Sequence, residues 1–189
     1  MKITIEEINN LIGETPLNEH VARELISIIK VFKLKKYQAF LKKDEVCNHW
    51  GYVVNGLLRT CYYKDKKEIT ENFSSEGTVF MNVESYVNRT PSRLMMEALE
   101  PTLIYAFPYD DFEELCHENH EIEHWFRKIL EKLLTGSQKR LDALQFENAR
   151  KRYENFTREF PQLILRIPAI YIASYLGITQ ETLCRVRAR

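Results

Sequence analysis

Apolar positions change their spacing twice along this chain of 189 residues. Between Thr4 and Lys30 they recur at helical intervals, with Val21, Leu25, Ile28 and Ile29 on one face of a segment that opens near Asn18. Thr4 and Glu7 stand three apart, as the two residues of a capping box do. From about Phe32 the period falls to two. In "GYVVNGLLRTCYY" (Gly51 to Tyr63), Asn55-Gly56 lies between apolar and β-branched runs, the signature of a type I′ hairpin, whose central residues both need positive φ. "KDKKE" (Lys64 to Glu68) reads as the next turn, followed by "ITENF". Short strands are expected at Thr78–Val83, Leu94–Leu99 and Leu103–Phe107, and this spacing predicts an antiparallel barrel or sandwich.

After Pro108 the helical period returns. Ile122, Phe126, Ile129 and Leu133, then Leu141 and Leu144, mark one amphipathic helix from about Glu121 to Phe146, with Thr135-Gly136-Ser137 as its weak point. A connecting helix of this length leaves much of its stripe uncovered unless a second copy covers it, so the four residues from Ile122 to Leu133 are expected to form a homodimer seam. Three shorter helices follow: about Asn148 to Phe160, stopped by Pro161; Pro168 to Leu176; and a last one from Gln180, beyond Gly177 and capped by Thr179.

Composition adds one asymmetry. The chain has no net charge, yet from Asn148 onward eight Arg and Lys stand against three Asp and Glu. A basic end is a candidate footprint for a polyanion, because Lys and Arg bound to phosphate release counterions. The four cysteines (Cys47, Cys61, Cys116, Cys184) form no C-x-x-C pair, which predicts reduced thiols and neither a metal nor another cofactor. No apolar run approaches membrane-spanning length, and the amino terminus lacks the parts of a secretory signal, so a cytoplasmic protein without membrane attachment is expected. Acids and bases are present at Glu84, Glu97, Asp110, Asp111, His49, His117, His120 and His124. No nucleophile elbow, P-loop, HExxH or dinucleotide fingerprint organises them, so an enzyme is not expected.

"IASYLGITQETLCRVRAR" has the parts of a helix-turn-helix. Ala173 permits close approach, Gly177 turns the chain, and Ile178 and Leu183 anchor the second helix. Gln180, Glu181 and Arg185 then face outward near its amino-terminal half, where a helix in the major groove meets base edges. Arg185 suits guanine, Gln180 adenine and Glu181 cytosine, while Thr179, Thr182, Arg187 and Arg189 suit phosphates.

The block "RIPAIYIASYLGITQETLCRVRAR" resembles the DNA-reading segment of the cyclic-AMP-receptor-protein/Fnr family of bacterial transcription regulators. "VVNGLLRTCYY" resembles a strand and turn of that family's effector domain, and "KRYENFTREFPQL" the helix that opens its DNA-binding domain. The resemblance covers about Leu17 to Arg189. It implies an α+β protein with an amino-terminal antiparallel β-roll of double-stranded β-helix, jelly-roll-like form (residues 1–120), a connecting dimer helix (121–146) and a carboxy-terminal helix-turn-helix domain (147–189). It also implies a homodimer on double-stranded DNA, a small-molecule effector of unknown identity, and RNA polymerase as a partner if the protein activates. A small-molecule-binding signalling module without sequence-specific DNA binding is the alternative.

The chain departs from the family at several positions. Leu183-Cys184-Arg185 stands for Leu-Ser-Arg in the reading helix, and Tyr37 and Asp44 occupy turn positions that often carry glycine, so those turns are expected to be reshaped. Where cyclic-nucleotide binders place a Glu and an Arg-Ser/Thr pair, this chain has Asn82 and Ser92-Arg93; with Glu84 these are the candidates for an effector pocket. A buried cyclic phosphate needs a guanidinium, and on a strand Arg93 points out where Ser92 points in, while Arg89 falls in a loop before Pro91. The expectation is therefore no response to cyclic AMP.

Overall fold

The computed structural model describes residues 4–10 and 17–188, and within them helical and extended segments follow the two periods closely. Helices α1 (Ile5–Asn10) and α2 (Glu19–Ile28) come first. Asn18 caps α2 by accepting from the Val21 N–H, and Val21, Ala22 and Leu25 are its buried residues. The Glu7 side chain lies outside the described residues.

The strands are β1 (Lys30–Leu34), β2 (Ala39–Leu41), β3 (His49–Asn55), β4 (Leu57–Lys64), β5 (Lys67–Ser75), β6 (Val79–Phe80), β7 (Met95–Ala98) and β8 (Thr102–Pro108), with helix α3 (Val83–Asn88) between β6 and β7. Two four-stranded sheets result, ordered β1-β8-β3-β6 and β2-β7-β4-β5. With the helices this makes an α+β fold. Helices α4 (Tyr109–Glu118), α5 (His120–Phe146), α6 (Ala149–Glu159), α7 (Ala169–Tyr175) and α8 (Gln180–Arg187) complete it. The chain divides into two units, residues 1–59 with 73–132, and residues 60–72 with 133–189.

The Asn55-Gly56 turn is not a hairpin. Strand β3 lies in one sheet and β4 in the other, so Gly56 is a corner at which the chain changes sheets. Only Gly56 of the pair has positive φ, at 101°. A Cβ there would lie 2.5 Å from Thr102 Oγ1 and 2.7 Å from the Pro101 carbonyl oxygen, so the backbone passes too close for any side chain. The true two-residue hairpin joins β4 to β5 through Asp65 and Lys66, whose φ values of 49° and 63° fit a type I′ turn without glycine. Gly51 serves a different purpose: a Cβ on it would come within 2.5 Å of the Phe80 ring, which lies against the bare backbone. Gly51 pairs with Ala106 on β8 and Phe80 on β6, so the ring sits where three strands meet.

The turns at Tyr37 and Asp44 keep the left-handed conformation that glycine favours, with φ of 64° and 67°. The expected reshaping is absent because neighbouring backbone holds them. The Tyr37 N–H donates to the Ala98 carbonyl at 2.6 Å, and the Asp44 N–H to that of Ser92 at 2.7 Å.

An aromatic stack fills the roll. Trp50 lies flat on Phe107 at 3.9 Å between centroids, with Phe112 edge-on at 5.1 Å. Phe112 comes from α4, which precedes the helix expected from about Glu121. Helix α5 enters with Asn18 and Glu121 joined: the Asn18 N–H donates to the Glu121 carboxylate at 2.7 Å, and its side-chain amide donates to the other oxygen. Helix α5 then runs unbroken through Gly136.

Candidate nucleic-acid interface and effector site

Each helix end in the tail is stopped by an identifiable residue. Asn148 caps α6 by accepting from the Lys151 N–H at 2.9 Å, and Pro168 opens α7. Gly177 adopts φ of 65°, and the Ile178 N–H returns to the Ala173 carbonyl at 3.0 Å, which closes α7 in a tight left-handed turn. Thr179 then caps α8, its hydroxyl accepting from the Thr182 N–H at 3.1 Å.

A small core holds these helices together. Phe156, Leu163, Ile167, Ile172, Ala173, Leu176 and Leu183 are all buried, and Phe156 packs on Tyr175 at 5.5 Å. Arg152, whose role no local pattern announces, donates to the Leu176 carbonyl at 2.8 Å and to that of Glu147, tying α6 to the end of α7. Leu183 therefore faces inward, as expected, and Ile178 is half-buried. Gln180, Glu181, Arg185 and Arg187 are exposed, Thr179 is exposed at the cap, and Thr182 is half-buried. Arg185 is steered by the Thr182 hydroxyl at 3.1 Å, and the Arg187 guanidinium stands 5.8 Å from the Tyr153 ring. Cys184 is exposed beside Arg185. Arg189 lies outside the described residues.

The expected seam on α5 needs correction. Ile122 and Ile129 are 0% and 3% exposed, and Phe126 packs on Phe112 at 4.7 Å and Trp50 at 5.3 Å. Ile122 and Ile129 close the core of their own unit and leave no surface for a second copy, while Phe126 and Leu133 are half-buried. The exposed apolar face belongs to Leu134 (61%), Leu141 (55%) and Leu144 (40%). With half-buried Leu130 and with Ser137, these residues follow alternating steps of four and three, the spacing of a coiled-coil seam.

In the roll, Asn82 and Ser92 are brought together and both are buried. The Asn82 amide donates to the Ser92 hydroxyl and its carbonyl oxygen accepts from the Ser85 N–H, capping α3; the Ser92 hydroxyl donates to the Leu94 carbonyl at 2.8 Å. Glu84 and Arg93 are placed elsewhere, 3.5 Å apart on the surface with side chains 65% and 59% exposed. The four candidates thus form a buried clamp and an exposed ion pair.

Over residues 31–119 the sequence matches the family of cyclic nucleotide-binding domains. FixK2 from Bradyrhizobium japonicum has a similar structure, with a TM-score of 0.75 and 20% identity over 85% of this chain and 83% of that one. A crp/fnr-family protein from Eubacterium rectale gives a TM-score of 0.71 and 15% identity, covering 90% and 82%. CLP, the c-di-GMP responsive global regulator of Xanthomonas campestris, gives 0.71 and 11%, covering 90% of each chain. Residues 31–119 thus match the cyclic nucleotide-binding domain family, and the fold is similar to that of these crp/fnr-type structures. No curated protein sequence matches the chain.

Several charged and polar groups within residues 31–119 have roles that only tertiary contacts set. Arg89, left-handed at φ of 54°, ends α3. Its guanidinium donates to the Cys47 carbonyl at 3.0 Å and to the Asn48 side chain, and it stacks 3.8 Å above Tyr109. Arg59 is buried against Glu97, their charged atoms 2.9 Å apart. His49 sits edge-on between Phe32 and Phe40 beside a cavity of about 370 Å³. Its Nε2 is buried without a hydrogen-bond partner, and burial, helped by the Lys30 charge, lowers the imidazole pKa. Burial pushes the Cys47 thiol up, and raises Cys116 to about 12 with Glu113 adding to the shift, so neither is a reactive thiolate. Among the described residues, no helix is long and apolar enough to cross a membrane.

Proposed function

We propose that this protein is a DNA-binding transcription regulator that acts as a homodimer and senses an effector other than a cyclic nucleotide. The observation that carries the reading is the sidedness of α8. Leu183 is buried, while Gln180, Glu181, Arg185 and Arg187 stand exposed on a helix whose amino terminus is capped and whose predecessor is tied in place. A short helix presented in this way fits the major groove, with Arg185, Gln180 and Glu181 toward bases and Thr179, Thr182 and Arg187 toward phosphates. In this reading residues 1–120 sense, 121–146 pair two chains and 147–189 read DNA. Pairing uses Leu134, Leu141 and Leu144 and places two reading helices about 34 Å apart on a pseudo-palindromic site. Gel shifts against genomic fragments at rising salt test the function: affinity must fall steeply with salt, and footprints must show paired half-sites.

The effector reading rests on how the polar groups are spent. Asn82 and Ser92 satisfy one another, Arg89 is engaged by the Cys47 carbonyl and Asn48, and Arg93 faces Glu84 at the surface. An incoming cyclic phosphate would find no uncommitted guanidinium among them, and a buried anion without such a partner is costly. Calorimetric titration with cyclic AMP and cyclic GMP is expected to give no saturable heat; a dissociation constant below about 10 μM, roughly −7 kcal/mol, would reverse this reading.

A further inference from the structure

Strand β5 is the last strand of its sheet, so its outward backbone groups have no neighbouring strand to pair with. At Glu68 and Thr70 that edge is covered by one side chain from α7. The Ser174 hydroxyl accepts from the Thr70 N–H at 2.8 Å and donates to the Glu68 carbonyl at 3.2 Å. Residues two apart on a strand present their groups on the same side, so a single hydroxyl serves the edge as one residue of an added strand would. Thr70 is completely buried there. A second attachment lies alongside: the Arg140 guanidinium reaches toward the Thr70 carbonyl at 3.5 Å and stacks 3.9 Å above Tyr175, the residue after Ser174. The hairpin residues 60–72 accordingly fall in the same unit as the tail helices, while β5 itself continues into residues 73–75 of the other unit.

We propose that Ser174 is a latch by which the β4–β5 hairpin controls the reading head, a deepening that rests on the DNA-binding role argued above. While the hydroxyl bridges Glu68 and Thr70, α7 is fixed on the strand edge, and α8, which follows after one short turn, is held ready for DNA. A change that shifts β5 along its length breaks the two bonds together, and the head loses its fixed orientation. Ser174 makes the bridge through its hydroxyl alone, so the latch is removable without touching the base-reading face.

The test compares Ser174→Ala and Ser174→Thr in the full-length protein, with thermal melts confirming that both fold. Amide exchange at Thr70 is expected to rise roughly tenfold in the alanine variant, as loss of one or two net hydrogen bonds dictates. Affinity for the best footprinted operator should fall roughly three- to tenfold at fixed salt, because a head that is only partly in its binding orientation binds in proportion to that fraction. The threonine variant, which keeps the hydroxyl, should restore both. Unchanged Thr70 exchange in the alanine variant, or faster exchange with unchanged affinity, overturns the latch. If the parent protein binds no DNA fragment at all, it is the DNA-binding reading that fails, and the exchange comparison then decides by itself whether the hydroxyl holds the strand edge.

Discussion

Replacing Gly56 by alanine tests the corner between the two sheets directly. The new methyl carbon would sit 2.5 Å from Thr102 Oγ1 and 2.7 Å from both the Pro101 carbonyl oxygen and Thr102 Cα, and two of these three atoms are backbone. Backbone cannot rotate aside, so the β8 entry must shift, and an overpacked core site costs about 1 to 3 kcal/mol. Forcing an L-residue to φ of 101° adds about 1 to 2 kcal/mol. The Leu57 N–H, which donates to the Thr102 hydroxyl at 3.2 Å, would move away from its acceptor at a further cost of about 1 kcal/mol. The sum is about 3 to 6 kcal/mol, a large part of the stability of a typical domain. The control is Gly136→Ala. A Cβ there meets nothing within 4 Å, and mid-helix alanine is favoured over glycine by about 1 kcal/mol, so this variant is expected to be more stable than the parent. Urea titrations followed by tryptophan fluorescence report the Gly56 variant, because Trp50 is in the stack beside this corner's strand, and circular dichroism of the helices reports Gly136→Ala. A Gly56→Ala loss below about 2 kcal/mol would match a simple hairpin turn and refute the close approach argued here.

Arg185→Ala should cost about 1 to 3 kcal/mol of specific binding and relax one base position, whereas Arg187→Ala should weaken all sequences alike; competition gel shifts separate the two. Leu141→Glu should convert a dimer to a monomer in sedimentation, while Ile129→Ala should leave association unchanged and cost about 2 to 5 kcal/mol of stability. The His49 imidazole is held below its ordinary pKa, so the unfolded chain takes up a proton near pH 6.5 while the folded protein resists it. Stability should therefore fall as pH drops through about 6.5, and His49→Gln should flatten that part of the urea midpoint profile.

The tail was legible because its boundaries are written in residues with one local meaning. Asn148, Pro161, Pro168, Gly177 and Thr179 act within a turn of themselves, and all five stand at helix ends. The roll was legible as alternating strands, but its corners were not. A sheet-changing corner and a type I′ turn both ask for glycine, so Asn55-Gly56 imitated a hairpin, while the real one at Asp65-Lys66 carries no glycine to announce it. The long helix shows a third kind of limit. Ile122 and Ile129 have the same period as Leu134 and Leu141; the first pair is buried where Phe126, between them, packs on Trp50 and Phe112, residues from other parts of the chain. Asn82 and Ser92 were found from the resemblance, yet their mutual hydrogen bond is visible only in three dimensions.

The Phe80 ring resting on Gly51 sets an order on how these two positions can change over generations. Any side chain at 51 collides with that ring first, and the Tyr105 carbonyl oxygen, 3.0 Å from where a Cβ would stand, leaves little retreat on the other side. A lineage can thus gain alanine at 51 only after 80 has become smaller, and once it has, a return of phenylalanine is closed until the glycine returns. Among descendants the two positions should be inherited as a pair, large with none or small with small, and a survey of variants that found alanine and phenylalanine together would mean that β6 had moved away from β3.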